Sequence, residues 1–204
     1  MVLKPYLGPA LAALFVCAAS SVPAQTVPSA TKGEAPLAVG AGISGYNNPD
    51  FGPGHLLGGT LWIDYIPNRV PSFLRGIGLE AKGLDLNYGR PATLPANLRE
   101  DVASGGVIYS WPRYRNFRPY VKYLMGFGNV DYEWTNQVRF HDSRTVTSMG
   151  GGLEYLVFRH LWARVDYEYQ SWPDFFNSTT PPGKINPQGV TVGAMYHFSQ
   201  PRSH

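Results

Sequence analysis

Gly189-Val190-Thr191-Val192-Gly193-Ala194-Met195-Tyr196-His197-Phe198 alternates without a break. Val190, Val192, Ala194, Tyr196 and Phe198 fall on one face, and Thr191, Gly193, Met195 and His197 on the other. A strand turns successive side chains to opposite sides, so this order describes a strand between two different media. An apolar face ending in two aromatics, against a small or polar one, suits a barrel strand with lipid outside and a lumen inside.

The opposite end of the chain carries an export signal. Lys4 supplies a positive charge ahead of an apolar run from Tyr6 to Ala19, and Val22-Pro23-Ala24 offers small residues before Gln25. That order reads as a secretory signal peptide over residues 1–24, cleaved after Ala24. The apolar run is shorter than the roughly 20 residues a spanning helix requires. Phe15 and Val16 ahead of the single Cys17 are poor matches to the small residues that precede a lipid-modified cysteine, and cleavage leaves no cysteine for a disulfide. Residues 25–36, rich in Thr, Pro, Ser and Ala, read as a flexible lead-in.

Taking 24 residues from 204 leaves 180, enough for one domain. Loss of Lys4 lowers the formal charge from +3 to about +2, too little to point to nucleic acid. A mean hydropathy of −0.19 argues against a bundle of spanning helices. It suits a transmembrane barrel, whose lumen-facing residues dilute the hydropathy of every strand.

Seven further segments show strand alternation: 37–46, 57–66, one from Gly76 onward, 102–111, 119–129, 145–156 and 163–170. The third slips phase at Gly83, where a bulge is expected. With the closing strand there are eight, an even number that leaves both termini on the periplasmic side. Connections at 47–56, 89–101, 130–144 and 172–188 are long, whereas those at 67–75, 112–118 and 157–160 are mostly shorter. Long external loops with short periplasmic turns are the usual asymmetry of such barrels. The expected fold is an all-β, eight-stranded antiparallel up-and-down transmembrane β-barrel over 37–198, with a short tail at 199–204.

The run Thr191-x-Gly193-x-x-Tyr196-x-Phe198 resembles the C-terminal insertion signal of outer-membrane barrels. With the eight-strand rhythm, it makes the chain similar to the small eight-stranded outer-membrane β-barrel domain family, which includes the OmpA transmembrane domain and OmpX. The resemblance implies a Gram-negative outer-membrane location, with the barrel-insertion machinery, outer-membrane lipid and lipopolysaccharide as partners. Only six residues follow Phe198 here, so a peptidoglycan-binding domain and a wall-anchoring role are not expected.

Alternation alone leaves open which face is inside, since a soluble lipocalin-like carrier would also alternate. Asp64, Glu80, Lys82, Lys122, Glu154, Arg164, Asp166 and Glu168 share one face, several of them at mid-strand. In lipid that face must be the lumen, because an ionised side chain at the bilayer midplane costs roughly 2–4 kcal/mol. An eight-stranded lumen is filled by side chains, so the charges must pair. Lys82, Lys122 and Arg164 are expected to interleave with Glu80, Glu154, Asp166 and Glu168 as a structural network. Aromatic girdles are expected at both interfaces: Tyr65, Trp111, Tyr114, Phe117, Tyr155, Phe158, Trp162 and Phe198 on the periplasmic side, and Tyr46, Tyr88, Trp134, Tyr169 and Trp172 outside.

Arg90, Arg99, Arg139, Arg144 and Lys184 lie on or near outer loops, as candidate contacts for lipopolysaccharide phosphates. His141, Asp142 and Ser143 are on the outer side, but neighbours on a loop seldom give the geometry of a nucleophile, base and orienting acid. His55, His141, Asp131, Glu133 and Asp142 show no recognisable ligand spacing. No enzyme activity, cofactor or metal is therefore expected. The expected function is a non-enzymatic outer-membrane barrel with a structural or loop-mediated surface role. A narrow porin-like channel for small solutes is the alternative. A lipid A-modifying enzyme and a lipocalin-like carrier rank below both.

Overall fold

A computed structural model describes residues 36–47, 55–67, 70–88, 97–133, 139–175 and 183–198. Among them are nine strands: β1 (Leu37–Asn47), β2 (His55–Tyr65), β3 (Ile77–Tyr88), β4 (Asn97–Ser110), β5 (Phe117–Glu133), β6 (Arg139–Leu156), β7 (Leu161–Phe175), β8 (Gly183–Ile185) and β9 (Gln188–His197). Neighbours in sequence pair antiparallel from β1 to β7, β7 pairs with β9, and β9 pairs with β1, which closes the ring at eight strands. The closing ladder runs from Ala38 opposite His197 to Asn47 opposite Gln188. Closure removes the free edges that an open sheet would present. No helix among the described residues is long and apolar enough to cross a membrane.

The ninth strand, β8, is a short addition that pairs only with the outer end of β7, Trp172 opposite Ile185. It falls inside the stretch 172–188 that was expected to be loop. β5 and β6 also outrun their expected limits, with 17 and 18 residues. Their ladder continues outward to Glu133 opposite Arg139.

The expected bulge at Gly83 does not form. β3 keeps an unbroken register with both neighbours, Leu61 opposite Gly83 on one side and Gly83 opposite Ala103 on the other. What changes there is the chemistry of each face. Below Gly83 the outward residues are Ile77, Leu79 and Ala81 and the inward ones include Glu80 and Lys82; above it Asp85 and Asn87 face out while Leu84 and Leu86 are buried inside. The same inversion occurs on β4, where Arg99 and Asp101 face outward beside buried Val102. On β5 the exposed Phe127 is followed outward by Asn129 and Asp131, with Val130 buried between them. In a membrane barrel such an inversion falls at the edge of the hydrocarbon: below it the barrel is apolar outside, and above it the strands pass by the headgroups into water, polar outside and apolar inside.

Candidate functional site

The lumen is built in three levels, each set by which residues share the inward phase. At the periplasmic end Ala38, Trp62, Trp162 and Met195 form an apolar cluster, with Leu156 packed against it. Arg118 lies over the Trp162 ring at 5.0 Å, pairs with Glu154, and meets His197 Nε2 at 3.2 Å. Trp162 therefore belongs to the interior and not to the periplasmic girdle. It shares the phase of Arg164, two residues on, and that phase faces inward.

The middle level is ionic. Arg164 donates to Asp64 at 2.9 Å, to Glu80 at 2.6 Å and, through Nε, to the Tyr120 hydroxyl at 2.7 Å. Its guanidinium lies over the Tyr120 ring at 4.2 Å and the Trp62 ring at 5.0 Å. Lys122 donates to Glu80 at 3.0 Å, contacts Glu168 at 3.1 Å and pairs with Asp166. Lys82 donates to Glu168 at 2.6 Å and to the Tyr46 hydroxyl at 3.2 Å. All these side chains are buried. Three cations thus hold four carboxylates in one connected network. Glu154 stands apart from it. Its partner is Arg118, and not Lys82, Lys122 or Arg164, because β6 places it nearer the periplasmic end. Beside this network Ser44 Oγ joins Thr191 at 2.7 Å and also Thr60.

The outer level is apolar. Tyr46, Leu56, Leu84, Leu86, Val102, Val130, Val146, Trp172 and Ile185 pack together, all buried. Tyr46 and Trp172 are lumen residues here, where the girdle reading had put them in the outer interface. Trp172 fits across the narrow bore because Gly128 faces it, and a Cβ at that position would run into the indole ring. Glutamine 170 accepts from Trp172 Nε1 at 2.9 Å and donates to Glu168 at 3.1 Å, which ties the apolar level to the ionic one. Glu100 also points into this end; it is buried, and its Oε1 accepts no hydrogen bond.

The residues of the closing strand divide by face. Thr191 is buried and Gly193 turns inward, whereas Tyr196 and Phe198 are exposed outside and meet edge to face at 5.3 Å. The loop cations are less uniform. Arg99 is exposed but bonded to Asp85 at 3.0 Å and to Asp101 at 3.2 Å. Arg144 faces the outer mouth of the lumen and pairs with Asp142 at 3.1 Å. Lys184 is exposed on β8. Arg139 begins β6, with only its backbone described, and Arg90 lies outside the described residues, as do Trp134 and the tail at 199–204. Among the described residues no three His, Asp or Glu side chains gather as a metal site.

The model of the outer membrane protein beta-barrel domain matches residues 10–198. The chain belongs to that family. It is a protein of the Gram-negative outer membrane, crossing it as a closed eight-stranded barrel. Among solved structures it is similar to Neisserial surface protein A, with a TM-score of 0.59 and 8% identity over 79% of this chain and 95% of that one. It is also similar to Ail, the attachment invasion locus protein of Yersinia pestis, with a TM-score of 0.55 and 14% identity over 78% of this chain and 96% of Ail. At these identities the likeness is one of fold. A second Ail structure, at a TM-score of 0.54 and 14% identity over 78% of this chain and 96% of Ail, holds the heparin analogue sucrose octasulfate. No curated protein matches the chain.

Arg118 and Glu100 are buried lumen charges that sequence reasoning missed. Both were assigned to connections, within two residues of an expected strand. Phase was the available signal: Arg118 is in step with Tyr120 and Lys122, and Glu100 with Val102.

Proposed function

We propose that this barrel is a sealed outer-membrane scaffold that works through its outer surface and does not conduct solutes. The observation that carries the reading is the double closure of the lumen, an ion-paired layer beneath an apolar one. A solute path would have to break desolvated charge pairs and then displace Trp172 and its neighbours, and each disruption costs several kcal/mol. Lipid and lipopolysaccharide are the partners of the outer wall, with Lys184, Arg90 and Arg139 as the cations to meet phosphates. Arg99 and Arg144 are weaker candidates because carboxylates already hold them. Ail's capture of a sulfated heparin analogue is a precedent for polyanion binding on this fold. Thr191, Gly193, Tyr196 and Phe198 serve as the insertion signal, and residues 1–24 as the cleaved leader.

Planar-bilayer recording of the refolded barrel tests the sealed lumen. The expected record is flat. Steady, reproducible openings in most insertions would overturn the reading in favour of the narrow channel.

A further inference from the structure

The outer wall of β5 and β6, just above the hydrocarbon edge, brings together four residues from two strands. Asp131 lies opposite His141 in the ladder, and Asn129 lies opposite Ser143. His141 Nδ1 is 2.6 Å from Asp131 Oδ1, and its Nε2 is 3.4 Å from Ser143 Oγ. One ring nitrogen thus meets a carboxylate and the other a serine hydroxyl. That is the connectivity of an orienting acid, a general base and a nucleophile. Asp142, the carboxylate adjacent to His141 in sequence, is on the opposite face, turned toward Arg144. His141 and Ser143 are two apart on a strand and therefore share a face. The 3.4 Å separation is looser than a working contact, which is common in free enzymes and tightens when substrate binds. Ser143 gives its hydroxyl proton to Asn129 Oδ1 at 2.6 Å, so attack requires the hydroxyl to rotate and turn that proton toward His141 Nε2.

Depth points to the substrate. Phe127, opposite Thr145, is the last apolar outward residue of β5, above Val121, Tyr123 and Met125. Ser143 is two residues beyond Thr145, about 7 Å at the strand rise. It therefore stands where acyl chains join their headgroups.

We propose that Asp131, His141 and Ser143 form a hydrolytic triad on the outer wall that cleaves acyl esters of outer-leaflet lipid. Ser143 Oγ attacks the ester carbonyl while His141 Nε2 takes the hydroxyl proton, and Asp131 steadies the imidazolium. The tetrahedral adduct collapses with loss of the lipid's alkoxide, which leaves as an alcohol with the proton from His141. Water then attacks the acyl-serine, giving its proton to His141. Serine departs with that proton, and a fatty acid is released. The inference needs the barrel to stand in the outer membrane with β5 and β6 projecting outside, but it does not need a sealed lumen. A conducting barrel with Ser143-dependent turnover would sink the closure reading alone.

The test uses the refolded protein in detergent, with folding verified by heat-sensitive gel mobility. Purified lipopolysaccharide and phosphatidylethanolamine vesicles are offered separately, and released fatty acids are read by mass spectrometry. A fluorophosphonate probe is followed by intact mass. Wild type is expected to release fatty acid and take up one probe. Ser143→Ala should abolish the adduct and lower the rate about a thousandfold or more, and Asp131→Asn should lower kcat with KM little changed. Hydroxylated chains from lipopolysaccharide or plain chains from phospholipid would each support the proposal and say which lipid is cut. Folded wild type that releases nothing from either lipid overturns it, and so does turnover that survives Ser143→Ala.

Discussion

Lys122 has three carboxylate neighbours, Glu80, Asp166 and Glu168, in a space without bulk water. Such a group is worth little by comparison with a well-packed apolar replacement of the whole network, yet its removal alone leaves buried charges uncompensated. Lys122→Met should therefore lower stability by about 3–5 kcal/mol. The urea midpoint of the folded gel band measures this, and an unchanged midpoint would show that the network tolerates the excess negative charge. Glu100 presents the opposite case, a carboxyl with no cation bonded to it among the described residues. It lies on the part of β4 that stands above the lipid, and burial, reinforced by Glu168, pushes its pKa up to about 8 from an ordinary 4.5. The folded barrel keeps this proton up to about pH 8 while the unfolded chain loses it near 4.5, so stability falls as pH rises between those values. Glu100→Gln should flatten that fall. Urea midpoints at pH 5 and pH 9 measure it, and an equal drop in the variant would refute the assignment.

At the scale of elements, the turns at the periplasmic end decide where the outgoing strands β3, β5 and β7 begin. Gly76 enters β3 with a φ of 86°, and a Cβ there would collide with the Ser110 carbonyl. That carbonyl belongs to the end of β4, and Ser110 N donates back to Gly76 O at 2.8 Å. Gly76→Ala should cost at least about 1–2 kcal/mol from the left-handed backbone alone. Slower refolding into micelles together with a lower urea midpoint is the expected result, and a wild-type midpoint would mean that the turn relaxes. Strand existence and phase were legible in the sequence because a two-residue period is local. Misreadings came where phase was known but not followed. Trp162, Tyr46 and Trp172 were placed in girdles by their position near strand ends, although each is in step with inward neighbours. The supposed slip at Gly83 was an intact phase whose two faces exchange chemistry.

Across the whole molecule, that exchange defines how far the barrel stands out of the lipid. A cysteine at Phe127 carrying a spin label should respond to a lipid-soluble quencher, and one at Asn129 to an aqueous quencher, although the two face the same way two residues apart. The single native cysteine, Cys17, falls in the proposed leader and leaves the mature chain free for such labels. Equal lipid exposure at both sites would move the boundary outward, and with it the depth assigned to Ser143.

The sequence by itself determined the closed eight-stranded barrel, its outward apolar wall and its charged lumen face. Each follows from alternation along one strand and from the cost of charge in lipid. Only the tertiary structure decided that Arg118 takes Glu154, that an apolar cluster packs at the outer end of the lumen, and that Asp131 meets His141 across two strands. Those outcomes depend on the register and stagger between strands, which sum contributions from the whole ring and leave no periodic trace in any one segment.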